Sequence, residues 1–329
     1  MTARRETLAD APWSFDFLSL MREFERGAPD KPRIGRSTVL SQEIVRLGQD
    51  PFVAFPAANV TEARFPPGRT PEVRVRFLGL FGPQGPLPLT TTMEAIQWMQ
   101  GRNDDSFVHF ADIFANRFLQ LFFRAWADAR PVVQFDRPDD DPFGDKVAAL
   151  AGHLGEGFVD RDAMPDLAKR HFAGLLAAAP RSEAGLRAIL TRFFRAEIEI
   201  ESFVGDWLHL DPHDRGRLGM AQLGRDASLG EKVWSREAKF RVRIGPLSLA
   251  DYERLLPGGE SLKRLAAIIR NQVGEALDWE ANLVLRADHV PQARLGGGAR
   301  LGLTSWIGRR PARDADDLNL RAPSPHSRA

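Results

Sequence analysis

Gly79-Leu-Phe-Gly-Pro-Gln-Gly-Pro-Leu-Pro-Leu89 separates a strand-like pattern from a helix-like one, and the rest of the chain is placed by reading outward from it. Upstream, Glu72-Val-Arg-Val-Arg-Phe77 alternates charged and apolar side chains, the mark of a half-buried strand. Between Gly82 and Leu89, Pro83, Pro86 and Pro88 lack amide protons and the two glycines relax the limits on φ, so the loop is stiff and irregular. Gly82, Pro83, Gln84, Gly85, Pro86, Leu87 and Pro88 read either as a brace between strand and helix or as an exposed element that a partner binds. Downstream, a helix is predicted from Thr91 to Met99 and a longer one from Phe107 to Trp126, capped by Asn103 or Asp104. Along the longer helix Phe107, Phe110, Phe114, Phe118, Leu121 and Ala125 recur every three or four residues. That stripe requires a large apolar partner.

The totals bound the class. With 329 residues the chain can bury a substantial core, and its length favours two or three compact units. Forty-five basic residues against 44 acidic ones leave a net charge of +1, so bulk attraction to nucleic acid or anionic lipid is not expected. The absence of cysteine excludes disulfides, thiolate zinc sites and a cysteine nucleophile. No apolar run reaches the length of a membrane span, and the N-terminal apolar stretch is too broken for a signal peptide, so a cytoplasmic protein without membrane insertion is expected. Twenty-two Phe and seven Trp stand against one Tyr, a bias toward rings without hydroxyls that suits cores and buried subunit contacts.

Taken in order, Asp10 and Pro12 predict a helix start, with Trp13, Phe17, Leu20 and Phe24 on one stripe. The stripe either folds back on its own domain or docks on a partner, which makes Trp13, Phe17 and Phe24 candidate partner-binding residues. Residues 31–70 read mostly as loop with one edge strand at Pro51-Phe-Val-Ala-Phe-Pro56. Helical patterns cover Asp145 to Gly152, Pro165 to Ala179 and Ser182 to Arg195. The period then changes at Glu197-Ile-Glu-Ile-Glu-Ser-Phe203 and at Lys239-Phe-Arg-Val-Arg-Ile244, two strands with opposite outer charges that are expected to pair, with Glu199 set against Arg241 as the trial charge pair. Ser248 with Asp251 marks a helix cap; a helix follows from Ser261 to Leu277, a strand from Trp279 to Ala287, and a closing strand at Leu301 to Trp306. The expected organisation is 1–70, an N-terminal helix and Pro-rich extended segment; 71–196, a strand plus a helical region; 197–310, an α+β region; and 311–329, a disordered tail. The fold class is α+β, with a mostly helical middle, a smaller strand-rich C-terminal half and an elongated, multi-subdomain form.

Chemistry-bearing motifs are scarce. His209 and His213 have a metal-like spacing, but Asp211-Pro212 between them disfavours a helix presenting both. Asp136 and Asp139 to Asp141 form an acidic, Pro-containing turn without the order of a calcium loop. No phosphate-binding loop, dinucleotide fingerprint, nucleophile elbow or zinc-protease motif is present. No catalytic, cofactor or metal residue is therefore assigned, and a metal-dependent hydrolase built on the acidic loop near Asp139 with His209 or His213 stands as the alternative.

The 79–89 stretch, followed by Asn116-Arg117 and Leu121-Phe-Phe-Arg-Ala-Trp126, resembles the signature of TssG, a type VI secretion family also called ImpH or VasB. Further segments resemble it in order: Arg181-Ser-Glu-Ala-Gly-Leu186, Phe203-Val-Gly-Asp-Trp-Leu208, Lys239 to Leu249, Leu256-Pro-Gly-Gly259, Leu277-Asp-Trp279, Ala293 to Gly297 and Leu301 to Trp306. One departure is plain, since Thr90 and Thr91 stand where the family usually has His-Tyr. The resemblance implies a non-catalytic baseplate wedge adaptor beneath the inner membrane. It would hold two copies of TssF, carry TssK trimers, and sit near TssE and the sheath.

Overall fold

The computed structural model of the chain describes residues 2–217, 219–220, 222, 224–225, 228–294, 296–308 and 313–321. The fold is α+β and divides into two compact units, Met1–Asp145 and Lys146–Ala329.

The first unit runs α1 (Thr2–Asp10), α2 (Phe17–Arg26), β1 (Arg46–Gln49), β2 (Val60–Arg64), β3 (Glu72–Val75), α3 (Leu89–Gly101), α4 (Ser106–Asp128) and α5 (Pro131–Phe135), and α6 (Pro142–Leu150) crosses its boundary. Its sheet has the order β1-β3-β2, with β1 parallel and β2 antiparallel to β3. Val73 and Val75 of the alternating strand are buried with Leu47 and Val60 beneath Phe17, Leu20, Met21, Leu119 and Phe123. The helix expected to start at Asp10-Pro12 starts later. Pro12 opens a short 3-10 turn, and Asp16 caps α2 by accepting from the Ser19 amide at 2.9 Å. The edge strand expected at Pro51 to Pro56 is not formed: strands β1 and β2 flank that stretch, where two prolines remove amide donors and Phe52 packs over Gly82.

Charge is also buried in this unit. Glu25 accepts from Arg33 Nη1 at 3.0 Å through one carboxylate oxygen, and from Arg124 Nη1 at 3.0 Å and the Ile34 amide at 2.9 Å through the other. Arg33, with no exposed side-chain surface, also donates to Asp140 at 2.7 Å, and Arg22 grips Asp136 through two bonds. The network ties α2 to the acidic turn after α5.

The second unit runs α7 (Asp166–His171), α8 (Ala173–Leu176), α9 (Glu183–Phe194), β4 (Ile198–Glu201), β5 (Asp206–His209), β6 (Lys232–Ser235), β7 (Lys239–Leu247), α10 (Leu249–Arg254), α11 (Glu260–Val273), β8 (Asp278–Leu285) and β9 (Ala315–Arg321). Its main sheet has the order β4-β7-β8-β9, with β7 and β8 parallel and the outer pairs antiparallel. Ile198, Ile200, Val242, Ile244, Ala281 and Leu283 face a core shared with Leu186, Ile189, Leu265 and Ile268 of the covering helices. Ser248 caps α10 as expected, accepting from the Asp251 amide and donating to its carboxylate. The closing strand lies elsewhere than Leu301 to Trp306, which folds as turns with one bridge from Trp306 to Gln292. It is β9, within the segment expected to be a disordered tail. Leu318 and Leu320 pack on the core while Asp316, Asp317 and Arg321 face out, so a polar composition concealed a period of two. Residues 311, 312 and 322–329 of the expected tail lie outside the described residues.

The paired strands β4 and β7 carry the expected opposite charges, in a register that sets Glu201, not Glu199, opposite Arg241. The same row continues to Glu280 on β8 and Arg321 on β9, alternating in sign across all four strands. Arg241 bonds Glu201 at 2.7 Å and Glu280 at 2.6 Å, and the nearly buried Lys239 bonds Glu280 at 2.6 Å and Asp206 at 2.8 Å. Burial alone would push the Glu280 carboxyl up. Hydrogen bonds from Lys239 and Arg241, with their charges, outweigh burial and hold it below its ordinary value of 4.5.

Because the folded value is depressed, the stabilisation from Glu280 is complete above about pH 4.5 and is lost as pH falls through the folded value. Glu280→Gln should destabilise the neutral-pH protein by about 2 kcal/mol, since it leaves the buried Lys239 with Asp206 as its one carboxylate partner, and should flatten the acid limb of a stability-against-pH curve. Chemical denaturation between pH 3 and 7 reads both, and a parallel displacement of the curve with its acid limb intact would contradict this assignment.

Candidate partner-binding face

Helix α4 decides which apolar surface the first unit keeps and which it presents. Its buried apolar positions are Val108, Ala111, Ala115, Leu119, Phe123 and Ala127, a stripe that begins with small side chains. Small residues let the helix close on β1, the sheet edge, where Asp112 Oδ1 accepts from the Gln49 amide and Asn116 Oδ1 from the Leu47 amide, each at 2.9 Å. Those two acceptors, four residues apart on one helix face, meet two amides that point the same way from the strand. Gly48 lies between them, and a Cβ there would come within 2.8 Å of the Asp112 carboxylate. Asp112 is held in turn by Arg74 Nη1 at 3.2 Å. Burial would lower the pKa of that guanidinium, but Asp112 and Asp50 outweigh it and raise the value.

The phenylalanine stripe consequently turns outward. Phe110, Ile113, Phe114, Phe118, Leu121 and Phe122 are between 42% and 67% exposed. Phe110 and Phe114 meet edge to face with centroids 5.8 Å apart. Arg117 is the charge within the stripe, and its Nη1 is drawn to the Gly35 carbonyl at 3.0 Å. The sequence called for a large apolar partner to this stripe, and the described residues cover only its first ring, Phe107, which packs on Phe81 and Trp98. Burying the exposed halves of six such side chains is worth on the order of 5 kcal/mol before the costs of association. A contiguous face of this kind marks an interaction surface.

The 82–89 loop is anchored at its base and open at its tip. Phe81 is buried, edge to face with Phe107, and Gln49 receives its amide and donates to its carbonyl, both at 2.9 Å. The Gly82 amide donates to Thr92 at 3.2 Å, and a Cβ at Gly85 would approach the Leu80 carbonyl to 2.6 Å. Pro83, Gln84, Pro86 and Pro88 are exposed, whereas Gly85 and Leu87 are half-buried and Gly82 is buried. Among the other sequence-derived candidates, Trp13 is exposed, Phe24 packs in part against Phe65 at 6.3 Å, and Phe17 is taken up by the core and is not available to a partner. The α2 stripe therefore folds back on its own unit through Phe17 and Leu20.

A second exposed apolar patch escaped the reading of the sequence. On the two-stranded β5-β6 ribbon, Trp207 lies opposite Trp234 with rings 5.4 Å apart, and Leu208 and Val233 flank them. Asp-Trp-Leu-His and Lys-Val-Trp-Ser are each too short to show a period alone.

The acidic turn offers little to a metal. Asp136 and Asp140 are engaged by arginines, and Asp141 caps α6 by accepting from the Gly144 amide at 2.9 Å. His209 lies at the end of β5, opposite Lys232. Asp211, His213 and Asp214 bring ligand atoms within 4.8 Å of one another, but all three are exposed on a turn.

The family model for type VI secretion TssG matches residues 11–308. The chain belongs to the TssG family. A chain of a solved type VI secretion baseplate complex is 22% identical to this TssG-family protein, covers 97% of it and is itself covered to 92%, with a TM-score of 0.65. A chain from a TssK-TssF-TssG baseplate subcomplex determined by cryo-electron microscopy is 19% identical and has a TM-score of 0.54; the match spans 64% of this chain and 90% of that one. At these identities the likeness is one of fold. No curated protein matches the chain.

Because the outward phenylalanines contribute little to the isolated fold, Phe114→Ser with Phe118→Ser should shift stability by no more than about 1 kcal/mol and reduce binding of an apolar dye. Phe123→Ser, on the buried face, should cost about 3 kcal/mol or more. Equal loss from both substitutions in thermal denaturation would show that the outer rings are covered after all.

Proposed function

We propose that this chain is a structural adaptor of the type VI secretion baseplate, acting by buried complementary surfaces and without catalysis. Membership of the TssG family over residues 11–308 carries this reading. The α4 aromatic face supplies a physical means for it, since a rigid 23-residue helix with one apolar side holds a partner in a fixed orientation.

TssF is the partner assigned to this face, in two copies for each copy of this chain, with TssK trimers carried elsewhere on the adaptor and TssE and the sheath nearby. The neighbouring fold from a TssK-TssF-TssG subcomplex supports the choice of these partners. The assembly would sit on the cytoplasmic side, beneath the inner membrane. Among the described residues no helix is long and apolar enough to cross a membrane. The exposed tip of the 82–89 loop, with Pro83, Gln84 and Pro86, and the exposed Trp13 are secondary contact points in this reading.

Co-expression with TssF, affinity purification and native mass measurement test it. The expected product contains two TssF chains and one of this chain, and Phe110→Ser with Phe114→Ser and Phe118→Ser should weaken the complex at least about tenfold while leaving this chain folded. A monomer that ignores TssF would contradict the adaptor reading. A complex unaffected by the triple substitution would remove α4 from the interface.

A further inference from the structure

The C-terminal unit contains a cavity of about 390 Å³ whose charge is strongly one-sided. Arg195, Arg254, Arg264 and Arg286 line it, against a single carboxylate, Asp251. Asp251 is already engaged: its Oδ2 accepts from Ser248 Oγ at 2.7 Å, and its Oδ1 lies 3.6 Å from Arg254. Arg286 leans on the exposed Asp288 at 3.5 Å and also meets the His289 ring nitrogen. The Arg195 side chain has no hydrogen bond or ion pair among the described residues, and that of Arg264 has only the longer-range attraction of Glu260, one helical turn away. The four come from separate elements, the C-terminal cap of α9, α10, α11 and the residue following β8, so the tertiary fold assembles the cluster.

Four exposed guanidinium groups around one concavity raise a local positive potential that water only partly screens, and an anion placed there relieves their repulsion. The N-terminus of α11, capped by Gly259 without a side-chain acceptor, opens on the same cavity through Ser261. Phe193, Phe194 and Leu255 form an apolar part of the wall. A bare inorganic anion would leave that wall wet and most of the volume unused. A peptide segment carrying two or more carboxylates would place methylenes on the wall and carboxylates on the guanidinium forks, which match them in pairs.

We infer that this cavity is an anion-binding pocket for an acidic segment of a partner protein. It lies in the C-terminal unit and takes a ligand of different chemistry from the apolar α4 face. Its arginines are exposed, so binding is modest and weakens with salt.

Fluorescence anisotropy of labelled hexaglutamate with the full chain tests the assignment. Saturable binding is expected near 50 mM salt, weakened about tenfold by raising salt toward 300 mM and about tenfold by Arg195→Glu with Arg264→Glu. Arg187→Glu with Arg192→Glu, on the exposed part of α9, should leave it within about twofold, and Arg195→Gln with Arg264→Gln repeats the loss should the reversal variant unfold. Displacement of the peptide by inorganic phosphate at equal concentration would make this a small-anion site and overturn the peptide assignment. Absence of saturable binding, or equal loss in the α9 control, would overturn the pocket itself.

Discussion

Two hydrogen bonds from α4 to the edge of β1 govern what the first unit hides and what it shows. Asp112 and Asn116 satisfy the Gln49 and Leu47 amides, which would otherwise stand open on a sheet edge. To make those bonds the helix must bring its backbone near the strand, and only Ala111, Ala115 and a glycine at position 48 permit the approach. The bulky stripe is left on the far side. A helix whose most apolar face points to solvent is unfavourable for a lone protein and advantageous for a subunit, because the surface that assembles is fixed before the partner arrives.

The second unit is organised by charge as much as by apolar packing. The row Glu201, Arg241, Glu280 and Arg321 crosses four strands, and Lys239 and Asp206 extend it. A one-residue slip of β4 against β7 would bring Glu side chains to the apolar core and break the alternation of sign, so the row specifies register as well as holding it. At the opposite extreme the cavity between α9, α10 and α11 gathers four arginines that only Asp251 and the nearby Asp288 offset. One sheet therefore neutralises its ions internally while a neighbouring concavity keeps an excess of positive charge.

Much of this was legible in the sequence, and the failures share a cause. The Glu72 to Phe77 alternation, the extent of α4, the Ser248 cap and the opposed charges of β4 and β7 follow from local spacing, and the motifs from Gly79 to Trp306 pointed to the TssG family. Which stripe of α4 is buried did not follow. Hydropathy favours the phenylalanines, whereas the contact with β1 requires close backbone approach, a demand set by residues some seventy positions away. Trp207 and Trp234 likewise acquire meaning only once their short strands pair. Strand β9 was hidden because Asp, Asn and Arg dominate a segment whose alternate leucines reach the core. Phe17 read as a possible contact residue because a stripe does not reveal whether its partner belongs to the same chain.

Hydroxyl-radical footprinting of the chain alone and in the assembled baseplate tests the central claim most directly, because it reads each ring without altering it. Phe110, Phe114 and Phe118 should be readily modified in the free chain and protected several-fold on assembly, while buried Phe17 and Phe123 stay protected in both states. Unchanged modification of the three outer rings in the assembled baseplate would contradict the claim that α4 presents the assembly surface.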